Sequence, residues 1–207
     1  MERELYTPRI LERIMQAEEG TIFVPSDFKD IAERETVKKA LLRLCNNNVI
    51  RRLVRGVYEK PEYNYFLQEH IAPSPDKIAK AIARNYGWTI IPEGDTALNI
   101  LGLTTQVPNV WHYVSDGPYK QYQYNNIEFK FKHITNKEIT NLSPKSSLIV
   151  QAIKALGENN INNKSIQILA RNLTNEEIIK LLNETKYTSY WIFKSIKMIA
   201  KAGEANV

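Results

Sequence analysis

A short amphipathic helix followed directly by a basic hairpin is the feature that most constrains how this chain folds. Apolar residues recur at helical spacing over residues 36–44, which predicts a helix with one buried face: Val37, Ala40, Leu41 and Leu44. Three asparagines at 46–48 end that helix, because asparagine tolerates left-handed backbone and competes for local hydrogen bonds. The runs 49–53 and 56–58 then predict two short strands, with a turn near residues 54–55.

The residues before this segment predict a strand and two more helices. Thr7 and Pro8 are typical of a helix start, with Thr7 as the cap and Pro8 in the first turn. Residues 21–24 favour a short strand, and residues 25–27 cap a short amphipathic helix over 28–32. The order helix, strand, helix, helix, hairpin is that of a winged helix-turn-helix, whose third helix enters the DNA major groove.

Positive charge is concentrated in the same stretch. Residues 34–60 carry eight Lys/Arg and two Glu, whereas residues 1–33 carry four Lys/Arg and eight Asp/Glu. Basic and polar side chains on the exposed helix face and the hairpin can reach phosphates or base edges. The candidate DNA-binding residues are therefore Arg34, Thr36, Lys38, Lys39, Arg43, Arg51, Arg52 and Arg55. The alternatives are a basic face that is merely solvated and a winged helix used only for protein contact.

The rest of the chain alternates between strand and helix patterns and then becomes helical. After Pro61 a linker over residues 63–75 is expected, and Asn125-Asn126 predicts a tight turn between two strands. We predict an α+β protein: a winged helix-turn-helix domain at 1–62, then a mixed α/β domain with a helical C-terminal region at 63–207. The predicted helices are 76–86, 96–101, 148–156, 166–169, 175–182 and 190–200, and the strands are 88–91, 110–115, 121–124 and 127–131.

Motifs of catalysis and metal binding are missing from the sequence. His70, His112, His133 and Cys45 have no metal-ligand spacing, and no nucleophile elbow or phosphate-binding glycine loop occurs. Glu93-Gly94-Asp95 places two carboxylates on a turn, which general acid/base catalysis or Mg²⁺ binding would use. Acidic residues at a helix N-terminus are the favoured interpretation. We therefore expect no catalytic residue, no cofactor and no metal.

Aromatic residues cluster between positions 111 and 124 beside two lysines. The group could form a stacking platform for single-stranded nucleic acid. Strand propensity with a half-buried sheet face is the favoured interpretation, and exposed aromatics also suit a protein interface. The residues concerned are Trp111, Tyr113, Tyr119, Lys120, Tyr122, Tyr124 and Lys130.

Cysteine use and hydropathy bear on the compartment. The one cysteine cannot form an internal disulfide, which indicates a reducing environment. No apolar run approaches the roughly 18 residues of a membrane span. The sequence predicts a cytoplasmic protein with no membrane partner, and it leaves the oligomeric state open.

Several stretches resemble the AbiEi-like antitoxins of type IV toxin–antitoxin (abortive infection) systems. The most specific is the run ALNILGLTTQ at 97–106, whereas the wing motif at 48–58 occurs in many winged helices. The resemblance covers roughly residues 10–135, with further matches at 24–28, 92–99, 101–108, 115–118 and 127–131.

The resemblance implies a function as well as a fold. It implies an N-terminal domain that binds an operator upstream of its own gene and represses it, and a second domain that counteracts a nucleotidyltransferase-like toxin. Lys39, Arg43, Arg51, Arg52 and Arg55 are the positions it would place on DNA. The alternatives are a stand-alone winged-helix regulator whose second domain dimerises or senses a ligand, and an enzyme resting on Glu93 and Asp95.

Overall fold

The computed structural model describes residues 3–135 and 142–204, with side chains described from Tyr6 to Gly203. The chain divides into two compact units. The first comprises Met1–Trp88 and Tyr122–Asn125, and the second comprises Thr89–Gln121 and Asn126–Val207. The first unit thus extends to Trp88, beyond the residue 62 at which the sequence analysis divides the chain.

The first unit is a winged helix-turn-helix built around helix α2. Its elements in chain order are α1 (Arg3–Gln16), β1 (Ile22–Phe23), a 3-10 helix (Pro25–Phe28), α2 (Arg34–Asn46), β2 (Arg51–Val54), β3 (Val57–Glu59), β4 (Tyr63–Asn64), β5 (Glu69–His70) and α3 (Pro75–Tyr86). Strands β1, β3 and β2 form an antiparallel sheet in that order. The predicted apolar face of α2 is buried against α1, the 3-10 helix and Tyr58, which confirms the helical spacing.

Two predictions about the first helices were wrong. Helix α1 begins at Arg3, so Pro8 lies inside it rather than at its start. The segment predicted as a helix over 28–32 is a 3-10 helix over Pro25–Phe28, followed by a turn in which Ile31 N–H donates to the Phe28 carbonyl at 3.0 Å. Phe28 and Ile31 are buried, and Ala32 packs beside them, within this one turn, so a longer helix is not needed to cover these side chains before α2 begins.

The segment after the wing is a hairpin rather than the expected linker. Strands β4 and β5 pair antiparallel, and the Asn64 side chain accepts hydrogen bonds from the backbone N–H groups of Phe66 and Leu67 at 2.9 and 3.0 Å. The short side chain of asparagine makes such turns, because it accepts hydrogen bonds from backbone N–H groups that two-residue strands do not pair.

Helix α3 belongs to the first unit because it is fastened to the helix-turn-helix. Arg84 donates to the Asp27 carboxylate at 2.9 and 3.0 Å and to the Ile22 carbonyl at 2.9 Å. Asn85 is buried beside Gly56, whose φ of +80° only glycine adopts readily. A Cβ at position 56 would lie 2.9 Å from the Asn85 amide nitrogen, so the wing turn and α3 approach closely.

The second unit combines a sheet with a helical bundle. Its elements are β6 (Ile90–Pro92), α4 (Asp95–Ile100), β7 (Val110–Ser115), the first two residues of β8 (Lys120–Tyr124), β9 (Ile127–His133), α5 (Pro144–Leu156), a 3-10 turn (Glu158–Asn160), α6 (Asn163–Arg171), α7 (Asn175–Thr185) and α8 (Tyr190–Glu204). The sheet order is β6-β7-β9-β8, with β6 antiparallel and β9 parallel to β7. The α+β class with a helical C-terminal region is confirmed.

Local capping explains where the last helices begin. The side chains of Asn162 and Thr174 each accept a hydrogen bond from the backbone N–H three residues on. The side chains of Ser165 and Glu177 in turn accept one from the backbone N–H of Asn162 and Thr174, respectively. These reciprocal bonds satisfy donors that every helix start leaves unpaired. The helices bury one continuous apolar cluster that includes Ile149, Leu181 and Ile196.

The ion pair between Arg51 and Glu59 yields a stability prediction. Glu59 is 1% exposed, and its partner is the Arg51 guanidinium from the neighbouring strand. Replacing Arg51 with Ala leaves a buried carboxylate without its charged partner. The substitution should lower the free energy of unfolding by about 3–5 kcal/mol, measured by urea denaturation.

Arg55→Ala is the matched control, because Arg55 is an exposed arginine of the same hairpin, and its loss should stay within about 0.5 kcal/mol. Equal effects of the two substitutions would contradict the structural role of Arg51.

Candidate nucleic-acid interface

The exposed face of α2 carries cations that the fold does not use. Lys39 and Arg43 lie opposite the buried face, both are exposed, and within residues 3–135 and 142–204 neither makes a hydrogen bond or ion pair. Leu42 lies between them and is 46% exposed, and Asn46 follows one turn later. This surface therefore offers two free positive charges, an amide and an apolar side chain along one helix.

Three predicted residues of α2 are less free. Arg34 donates to the backbone carbonyl and the side chain of Asn85 at 3.4 and 3.3 Å. Lys38 pairs with Glu35 at 2.6 Å on the helix surface, and Thr36 is half-buried in the first turn. The Arg34 contacts hold the start of α2 against α3, whereas the Lys38–Glu35 pair lies within α2. Arg34 and Lys38 therefore already have partners before any ligand binds.

The wing divides its three arginines between two roles. Arg52 and Arg55 are exposed, and the nearest polar contact of Arg52 is the Val54 carbonyl at 3.5 Å. Arg51 instead pairs with the buried Glu59 and donates to the Ile71 carbonyl at 2.6 Å. Arg51, predicted as a phosphate contact, thus has a structural role because it neutralises a buried carboxylate.

Two arginines fix the turn that precedes α2. Arg13 binds the Asp30 carboxylate through its two terminal guanidinium nitrogens, at 2.8 and 2.5 Å. It also donates to the Asp27 backbone carbonyl at 2.9 Å. Arg84 binds the carboxylate of the same Asp27. The hydrogen bond from Arg13 holds the pKa of Asp30 at about 2. The helix-turn-helix is therefore held by ion pairs from α1 and α3.

Asn85 and Arg84 are site-positioning residues that sequence reasoning missed. Both lie in α3, more than fifty residues after the parts of the winged helix they contact. No local pattern signals them, because their roles depend on a contact that forms only when α3 folds back.

The other sequence candidates lie elsewhere. Glu93 is half-buried, and Asp95 is exposed in the first turn of α4, where it complements the helix N-terminus. Cys45 is a half-buried free thiol. Among the described residues, no cluster of three or more His, Cys, Asp or Glu could hold a metal ion. In the same described ranges, no helix is long and apolar enough to cross a membrane.

The aromatic group does not form one exposed platform. Trp111 and Tyr113 are buried, whereas Tyr119 is 68% exposed. Tyr122 packs near Tyr86, and burial together with a hydrogen bond to Tyr86 raises the pKa of its hydroxyl. Of these four residues, only Tyr119 has a ring exposed enough to contact a ligand.

A cleft of about 930 Å³ lies within the second unit, between its sheet and its helices. Val114, Val150 and Ile192 form an apolar part of the wall, and Lys132 and Lys154 contribute charge. Its size lies in the range of small-molecule sites.

Comparison with known proteins identifies the family. Residues 9–181 match the model of the family described as "Family of unknown function (DUF6088)". The chain belongs to this family. The DUF6088 match spans most of the winged helix and the second unit up to α7, and no curated protein matches the sequence.

A crystal structure of the RV2827C protein from Mycobacterium tuberculosis is similar at 10% identity and a TM-score of 0.42. The alignment covers 96% of this chain and 77% of that one. Similarity at this level does not establish a shared fold.

The depressed pKa of Asp30 predicts a pH dependence. Since the folded pKa of about 2 lies below the usual 3.8, the Arg13–Asp30 pair stabilises the fold above pH 4, and this contribution disappears as the pH falls toward 2. Asp30→Asn should flatten the acid limb of unfolding curves measured between pH 5 and 2. Asp95→Asn, at an exposed carboxylate of the second unit, is the control, and an acid limb unchanged by Asp30→Asn would contradict the role of the pair.

Proposed function

We propose that this protein binds double-stranded DNA through α2 and the wing, and that it acts as a transcriptional regulator at an operator upstream of its own gene. The observation that carries the proposal is a set of exposed cations on these two elements: Lys39, Arg43 and Arg55, which bind no group among residues 3–135 and 142–204, with Arg52 beside them. In a winged helix these are the elements that face the major groove and the flanking phosphates.

Each free cation has a distinct task in this mechanism. Arg52 and Arg55 neutralise phosphates beside the groove, which gives affinity without sequence information. Arg43 and Asn46 lie on the groove face of α2, where arginine pairs with guanine and asparagine with adenine. Leu42 supplies apolar surface for a thymine methyl group. Arg51 takes no part, because the fold already uses it.

We extend the proposal to the second unit, which would act in a toxin–antitoxin system. This extension is supported by the resemblance at residues 92–108, which comprise the last residue of β6, then α4 and the loop that follows. In this role the protein is a cytoplasmic, non-enzymatic antitoxin that counteracts a nucleotidyltransferase-like toxin. Co-expression with the product of the adjacent gene tests it: growth arrest that this chain relieves supports the antitoxin role, and arrest that persists contradicts it.

The 930 Å³ cleft favours a second candidate, a stand-alone regulator whose second unit senses a small molecule. The two candidates differ in what removes the protein from its operator. A metabolite-sized ligand that weakens operator binding would favour the sensor, whereas a neighbouring toxin would favour the antitoxin.

Substitutions on the wing test DNA binding. Arg52→Ala with Arg55→Ala should weaken binding to operator and scrambled duplexes alike, and should lower the slope of log K against log salt by about 1.8. Fluorescence anisotropy across a salt series measures both. Lys77→Ala on α3 removes an exposed charge outside the proposed interface and should leave the slope unchanged. Unchanged affinity in the wing variant would contradict the proposal.

Substitution of Arg43 tests base recognition separately. Arg43→Ala should reduce the preference for operator over scrambled DNA by about 1–3 kcal/mol if the side chain pairs with a guanine. Equal losses on the two duplexes would show that Arg43 contacts phosphate instead.

A further inference from the structure

The sheet of the second unit carries a groove of about 450 Å³, lined mainly by polar side chains. Strands β7 and β9 pair in parallel, and their odd-numbered residues Trp111, Tyr113, Phe129 and Phe131 are buried on one face. Side chains alternate along a strand, so the even-numbered residues near the groove point to the other face. All the residues that line the groove belong to the second unit, whereas α2 and the wing belong to the first.

Three lysines and a histidine line this groove. His112 lies directly opposite Lys130 on the neighbouring strand, and Lys132 follows two residues later on the same face. Two residues along a strand span about 6.6 Å, so Lys130 and Lys132 present a pair of charges in one row. Lys120 adds a third positive charge at the rim.

The charges of the groove are only partly neutralised. Lys130 pairs with Glu128 at 3.3 Å, whereas Lys120 and Lys132 form no ion pair or hydrogen bond within residues 3–135 and 142–204. A half-neutralised row of lysines favours a ligand with successive negative charges.

Tyr119 gives the groove an aromatic wall that is held in place. Its ring is 68% exposed and packs edge-on against His133, with ring centroids 6.4 Å apart. The His133 ring is fixed in turn by a 2.8 Å hydrogen bond between its Nδ1 atom and the Gly117 carbonyl. The edge-on contact with His133 leaves most of the Tyr119 ring exposed. The ring is therefore positioned to stack with a planar group.

We propose that this groove binds single-stranded nucleic acid, with phosphates on Lys130 and Lys132 and a base stacked on Tyr119. Basic side chains that follow the backbone beside an aromatic ring are the combination that single strands require. A duplex keeps its bases paired and stacked on one another, so an aromatic side chain such as Tyr119 gains no base to stack on from it. The residues of this site belong to the second unit, and the inference does not rest on the proposed duplex binding.

The test uses the full chain and a labelled oligothymidylate in fluorescence anisotropy. Lys130→Gln with Lys132→Gln should weaken binding at least about tenfold at low salt and reduce the salt slope by about 1.4. Tyr119→Ala should weaken binding about tenfold, and Tyr119→Phe should restore it because stacking needs the ring and not the hydroxyl.

The controls separate this site from the rest of the molecule. Lys194→Gln with Lys197→Gln removes two exposed lysines of α8 and should leave oligothymidylate binding unchanged. Arg43→Ala should affect duplex binding alone, so failure of the duplex proposal leaves this one testable. Urea midpoints matching the unmodified chain verify that the groove variants fold.

Three results would overturn the inference. One is oligothymidylate affinity that survives the double lysine substitution. Another is an equal loss in the α8 variant, which would indicate unspecific charge attraction. The third is a polyglutamate peptide that competes as well as the oligonucleotide, which would assign the groove to an acidic protein partner.

Discussion

The first unit depends on a buried carboxylate in the middle of its small sheet. Glu59 is the last residue of β3 and is 1% exposed. Its charge is tolerated there because Arg51 lies opposite it on β2. A buried ion pair contributes little net stability, but either half alone is costly, so the pair ties the two strands to one register. Through its other nitrogen Arg51 also holds the Ile71 carbonyl, which fixes the chain after the β4–β5 hairpin. The route from the wing to α3 is thereby set.

Ionic contacts of this kind divide the basic residues of the winged helix into two groups. Arg13, Arg34, Arg51 and Arg84 bind acidic groups, carbonyls or an amide of the fold. Lys39, Arg43 and Arg55 remain exposed and bind none of the described groups. A net charge counted along the sequence treats the two groups alike. The DNA-binding surface that we propose consists of the cations that remain after the fold has used the others.

The second unit separates apolar and charged surface across one sheet. The buried aromatic side chains of β7 and β9 lie on one face, and Lys130 and Lys132 lie two residues apart on the opposite face. Lys132 borders both the groove and the larger cleft, which lie on the same side of the sheet. A sheet whose two faces differ so much in charge can hold a core and offer a binding surface at once.

Sequence periodicity by itself determined several elements of this protein, although not the 3-10 helix at Pro25–Phe28 or the β4–β5 hairpin. The spacing of Val37, Ala40, Leu41 and Leu44 set the buried face of α2, and the alternation at 110–115 and 127–131 set two strands, because burial of apolar side chains follows the period of the backbone. What the tertiary structure decided is which residues remain available for function. Arg51 and Arg55 are alike in sequence, yet one neutralises Glu59 and the other faces solvent. Asn85 reaches Arg34 across fifty-one positions. Such pairings depend on the distance between atoms in the folded chain, which a local pattern does not contain.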